Sequence, residues 1–184
     1  IIDSIKKCIK GTSSNNEILF RYTEKIKSDN QWENILLNNK EKIFHINYSN
    51  GIAYIAIGRC REYPINSKDD FDALKNFQYK MKFYGERKNE LLKLFGGVSF
   101  NLEQKPCDFW KDLPRGLFFI PEFLIVKNKK KYFISYYTFV NKNSSLKKII
   151  LKYDSFITNL KDIYEIKKTI VCFSIWYVFI KAYN

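Results

Sequence analysis

The chain has 184 residues, 46% apolar and 17% aromatic, with only 7 Gly and 4 Pro and a formal net charge of +13. That composition excludes a disordered chain and a string of flexible linkers, and the length suits one domain with its own core. The lysines are scattered along the whole sequence among Asn and Ile, a general bias rather than a basic patch, so neither nucleic acid nor a membrane is expected as a partner.

The first element is a helix: in the run Ile2, Ile5, Lys6, Ile9 the apolar residues are spaced by three and four. The polar run Gly11–Asn16 ends it. Glu17 to Ile26 carries Ile18, Leu19, Phe20 and Tyr22 without a decisive period, and both an extended and a helical reading stay open. A hairpin follows. Ile43–Tyr48 and Ile52–Ile57 flank Ser49-Asn50-Gly51, and Asn-Gly supplies the positive φ angles of a tight turn. Gly58 ends the second strand.

A helix is expected next. Ser67 is its N-cap, Asp70 completes a capping-box pattern, and Asp69, Asp70 and Asp72 complement the helix dipole. Its apolar face is Phe71, Leu74 and Phe77 with Gln78 or Met81, read as lying on a sheet. In Leu91–Phe100 the pair Gly96-Gly97 marks a bulge or a close backbone approach, and both glycines are read as structural. Two β-prone runs, Leu117–Val126 and Tyr132–Val140, surround Lys127, Lys129, Lys130 and Lys131, which reads as a solvated hairpin turn. Pro121 marks the first run as an edge or bulged strand. Ser144-Ser145 opens a last helix with Leu146, Ile149, Ile150 and Tyr153 on one side and Lys147, Lys148 and Lys152 on the other. Thr169–Ile180 is uncharged, too short for a membrane helix of about 20 residues, and is read as a buried strand.

Short turns between strands that outnumber the helices give an α+β class with an antiparallel sheet and flanking helices. Cys8, Cys60, Cys107 and Cys172 form no CxxC pair, so neither a disulfide framework nor a zinc site is expected, and a cytoplasmic setting fits. The single histidine, His45, sits on a strand and is read as structural. Without a second histidine no Ser–His–Asp set assembles, and no P-loop, GxGxxG, HExxH or EF-hand pattern occurs. Glu122 interrupts an apolar run and is expected to pair with a lysine of a neighbouring strand. Tyr132, Phe133, Tyr136, Tyr137 and Phe139 resemble a base-stacking strand, but the RNP pattern is absent and a core role is preferred.

The order Leu94-Phe95-Gly96-Gly97-Val98-Ser99-Phe100, then Phe109-Trp110-Lys111-Asp112-Leu113-Pro114, then Leu117-Phe118-Phe119-Ile120-Pro121-Glu122-Phe123, then Tyr132-Phe133-Ile134-Ser135 resembles the menaquinone-type isochorismate synthases. Val98 stands where Phe is commoner. With the hairpin Ile43–Gly58, the likeness spans about residues 40–140. It implies a partial chorismate-utilising-enzyme (anthranilate synthase component I-like) fold over residues 1–165. The apolar tail 166–184 is read as truncated or out of frame, and Ile1 as lying inside a longer reading frame or following processing. The implied activity is Mg²⁺-dependent conversion of chorismate to isochorismate. A lysine activates water for attack at C2, a glutamate protonates the departing C4 hydroxyl, and further glutamates hold the metal. The match to the family's Lys-Val-Val-Leu-Ala-Arg strand is Lys168-Thr169-Ile170-Val171-Cys172-Phe173, so Lys168 is the candidate base, with Phe173 departing from the pattern. Metal ligands are expected outside this chain, and the chain alone is expected to be inactive. Salicylate, anthranilate and aminodeoxychorismate synthases are the alternatives within the enzymes, and a basic nucleic-acid-binding module is the alternative outside them. The Leu-Leu-Glu-Ser-like element of anthranilate-type enzymes is not seen.

Overall fold

The computed structural model describes residues 1–12, 17–26, 43–47, 51–80, 92–99, 101–102, 114–129 and 131–166, with the backbone path alone for 43–47, 78–80 and 160–166. The elements in order are α1 (Ile2–Lys10), β1 (Ile18–Ile26), β2 (Ile43–Asn47), β3 (Ile52–Ile57), β4 (Arg61–Ile65), α2 (Lys68–Lys80), β5 (Phe95–Val98), β6 (Gly116–Ile120), β7 (Phe123–Asn128), β8 (Lys131–Val140) and α3 (Leu146–Ile166). The strands form two antiparallel sheets, one of five in the order β1-β8-β7-β3-β2 and one of three in the order β4-β6-β5. The α+β class with flanking helices is therefore as expected.

Local signals that rest on one segment hold. Helix α1 buries Ile5 and Cys8, although Ile2 stays 45% exposed. At the head of α2 the Ser67 Oγ accepts from the Asp70 N–H at 3.1 Å, and the Asp70 carboxylate accepts from the Asn66 and Ser67 N–H groups at 3.0 Å each. This reciprocal capping holds the Asp70 carboxyl below its ordinary range, the Asn66 bond being the largest cause. Helix α2 lies on the small sheet through Phe71 against Phe118 and Phe77 against Tyr63. Strands β2 and β3 pair as read, and Gly51 takes φ 78° in the connection. Of the lysines read as a turn, Lys127 falls in β7 and Lys131 opens β8, and Lys129 turns between them at φ 54°.

Segments whose conformation depends on a partner go beyond what was read locally. Of the two readings left open for Glu17–Ile26, the extended one holds over Ile18–Ile26, because β8 offers it nine paired positions from Val140 to Tyr132. After Gly58 an extra strand, β4, precedes the helix. Pro64 fits there because β4 is an edge of the small sheet. The run Leu117–Val126 is not one edge or bulged strand. It breaks at Pro121-Glu122, so that β6 is central in the small sheet and β7 is interior in the large one. The Glu122 N–H donates to the Ile57 carbonyl at 3.1 Å, and its own carbonyl accepts from the Tyr137 N–H at 2.8 Å, which clamps the crossover onto the large sheet.

Of the two glycines, Gly96 carries the close approach: at φ 150°, a Cβ there would lie 1.9 Å from the Leu117 carbonyl oxygen. At Gly97 a Cβ would meet nothing within 4 Å. One face of the large sheet, through Phe20, Ile55, Ile57, Phe123, Ile125, Ile134 and Tyr136, packs with Ile5, Cys8, Ile149 and Tyr153 of α1 and α3. Phe156 stacks on Phe123 at 3.6 Å between centroids. The other face packs at one end against the small sheet, through Leu19, Ala56, Leu124 and Tyr137 with Phe95, Phe119 and Ile120. Among the described residues no helix is long and apolar enough to cross a membrane. The apolar segment Thr169–Ile180 lies outside the described residues.

Candidate functional site

Side chains alternate across a strand, so the face of the large sheet turned away from α1 and α3 carries every second residue of its strands. On β1 these include Arg21 and Thr23, on β8 Phe133, Ser135 and Tyr137, on β7 Leu124, Val126 and Asn128, and on β3 Ile52 and Tyr54. Together with Lys93 and Lys131 they line a groove of about 550 Å³. Register sets the rows across its floor: Arg21 stands opposite Tyr137, and Thr23 opposite Ser135 opposite Leu124. The Thr23 and Ser135 hydroxyls hydrogen-bond at 2.8 Å. Phe95 of the small sheet meets Tyr54 edge-on at 6.3 Å and closes that side, and Lys93 lies over the Tyr54 ring at 4.9 Å.

The groove grades from wet rim to dry floor. Lys93, Asn128 and Lys131 are exposed, whereas Leu124, Ser135, Tyr137 and Arg21 are buried, Arg21 being only 4% exposed. Among the described lining residues there are three cations and no Asp or Glu. An arginine in such a place presents a planar fork of donors suited to a carboxylate or phosphate.

The residues singled out from the sequence lie elsewhere. Lys168 is outside the described residues, as are Cys107, Cys172 and Trp110. His45 lies on β2 in register with Ile55, and its side chain is outside the described set. Glu122, 13% exposed, pairs with Lys152 of α3, a helix lysine rather than the neighbouring-strand lysine expected. Burial pushes the Cys8 thiol up to about 11. Burial, then the Glu122 charge, does the same at Cys60. Neither thiol is poised as a nucleophile at neutral pH. Among the described residues no three His, Cys, Asp or Glu side chains cluster in a way that would hold a metal ion, so those residues do not fit Mg²⁺.

Arg21 was not singled out from the sequence. The available signal was an arginine inside the apolar run Ile18–Tyr22, which acquires meaning only once that run is a strand paired with β8.

The family described as chorismate binding enzyme matches residues 3–171. The chain belongs to the chorismate-binding-enzyme family. No curated protein matches it. Among solved structures it is similar to MenF, the menaquinone-specific isochorismate synthase from Escherichia coli, with a TM-score of 0.51 at 12% identity. The similarity covers 85% of this chain and 32% of that one, so this sequence spans about a third of the MenF chain. Within this chorismate-binding fold the diglycine strand β5 pairs directly with β6, the first half of the proline-bearing aromatic run.

Proposed function

We propose that the chain is the amino-terminal part of an isochorismate synthase, a protein that converts chorismate to isochorismate for menaquinone synthesis. The observation that carries this reading is the family match over 3–171. The MenF-like fold and the diglycine strand paired with the aromatic run support it. Chorismate is the substrate in this reading. Lys168 is the base that takes a proton from the attacking water, which requires a depressed lysine pKa. Mg²⁺ belongs to the reading as an offset for the substrate carboxylate, with ligands beyond the described residues. The 184 residues alone carry out no turnover.

Two assays test this. The purified chain is incubated with chorismate and Mg²⁺, and no isochorismate is expected; its formation would overturn the inactivity. The polypeptide encoded by the entire gene is assayed in the same way and isochorismate is expected. Anthranilate, aminodeoxychorismate or salicylate as the product would instead assign another member of the family.

A further inference from the structure

Lysines that are scattered along the sequence are gathered by the fold. Helices α1 and α3 touch one another and close over the core on the face of the large sheet turned away from the groove. From Ile2 to Lys10 and from Leu146 to Asn159 their exposed cations are Lys6, Lys7, Lys10, Lys147, Lys148 and Lys152, against Asp3 and Asp154 as the exposed acidic residues. Of these lysines only Lys152 is ion-paired among the described residues, with Glu122. The small-sheet side is balanced by contrast: Arg59 pairs with Glu62, Arg61 with Glu17 and Lys75 with Asp72. We propose that the outer surface of α1 and α3 docks an acidic segment of another protein, which brings carboxylates to the lysines and an apolar side chain to Leu151.

Local stability does not account for these charges. Lys7 and Lys10 stand in the last turn of α1, where the helix dipole favours cations. Lys147 and Lys148 stand in the first turn of α3, which holds no acidic residue and where the dipole opposes them. Carboxylates laid on that turn would relieve both the lysine pair and the positive end of the helix.

The apolar part of the surface is equally local. Among the described residues the exposed large hydrophobics are Ile2 at 45%, Val98 at 37% and Leu151 at 57%, and two of these three lie on this layer. Leu151 has Lys147 and Lys148 one turn before it, and Ile2 has Lys6 one turn after it, so each helix presents an aliphatic point beside cations. Apolar points inside a charged rim are the anatomy of a protein interface.

The same chemistry ranks the other polyanions lower. Every cation of the layer is Lys and none is Arg, the residue that grips phosphate with two parallel bonds, and aliphatic side chains gain nothing from a phosphate backbone. No aromatic side chain is exposed among the described residues of either helix, whereas helices that lie in a bilayer surface hold it through aromatic and broad apolar area. A second copy of the chain is disfavoured because a net charge of +13 makes copies repel. The surface lies across the sheet from the groove, and the inference does not rest on the reaction proposed above.

The test is a fluorescence-anisotropy titration of the whole chain with a labelled glutamate-rich peptide carrying one leucine per helical turn, and with the same peptide lacking leucine. The leucine peptide is expected to saturate, to bind more tightly than its counterpart and to weaken as salt rises. Lys147→Ala with Lys148→Ala should weaken it about tenfold, and the fold should stand because both positions are exposed and Ala favours a helix. Leu151→Gln should weaken it several-fold. Lys68→Ala with Lys75→Ala removes the same charge from exposed positions of α2 and should leave the affinity nearly unchanged. Equal weakening by the two lysine pairs would reduce the binding to net charge and overturn the site, as would absence of binding or unchanged affinity in Leu151→Gln. Tighter binding of phosphatidylglycerol vesicles or of duplex DNA than of the leucine peptide would overturn the class of partner. Failure of the complete enzyme to make isochorismate would leave these titrations untouched, so the two readings fail separately.

Discussion

The two faces of the large sheet come from the same strands by simple alternation, yet they carry opposite chemistry. On the helix side Phe20, Ile55, Ile125, Ile134 and Tyr136 are closed over by α1 and α3. On the groove side their immediate neighbours Arg21, Tyr54, Ser135 and Tyr137 line a cavity. A slip of one residue in register would exchange the two sets, so the dry face enforces the register that assembles the groove. The lesson is a division of labour: one face is apolar throughout and closed by helices, whereas the other buries apolar residues at the end under the small sheet and carries Arg21, Thr23 and Ser135 beside them.

That division is most sharply tested by core truncation. Ile134→Ala, on the dry face, should cost about 2–5 kcal/mol in chemical denaturation. Its neighbour Ser135→Ala, which loses one hydroxyl contact, should cost about 1 kcal/mol or less. Comparable losses at both positions would break the comparison.

The small sheet that closes one end of the groove offers the next test. Gly96→Ala drives a Cβ into the Leu117 carbonyl and should destabilise by about 1–3 kcal/mol, read as a drop in the denaturation midpoint. Gly97→Ala meets open space and should stay within about 0.5 kcal/mol. Equal effects would deny the close approach of β5 and β6.

The dry face also has a pH signature. Burial, then the Glu122 charge, pushes the Tyr136 phenol from 10.0 up to about 12. The folded protein thus favours the protonated phenol more than the unfolded chain does. The resulting stability is full below about pH 10 and is lost as pH rises toward about 12. Tyr136→Phe should flatten that alkaline loss in pH-dependent denaturation; an unchanged slope would remove Tyr136 from the account.

Smaller effects belong to exposed positions of the helices. Ser67→Ala removes the N-cap of α2 and should cost about 1 kcal/mol by thermal unfolding. Lys152→Ala breaks the pair with Glu122 from a lysine that is 60% exposed, and should cost less than about 1 kcal/mol and respond to salt.

What the sequence by itself determined are the features that rest on contacts a few residues apart. These are the Ser67–Asp70 box, the Asn-Gly hairpin, the lysine turn and the amphipathic stripes of α1, α2 and α3. Each is decided by local sterics or by a period of three and four, and each is legible without a partner. Tertiary structure alone decided the rest. Glu17–Ile26 had no period of its own and became a strand because β8 was there to pair with it. Short β4 is held by β6, and the aromatic run divides at Pro121 because its halves hydrogen-bond to different sheets. The groove could not be read in advance because its lining comes from four strands and Lys93, joined only by register. Long-range hydrogen bonding leaves no trace in a single segment, and so nothing marked Arg21 until the sheet placed it opposite Tyr137.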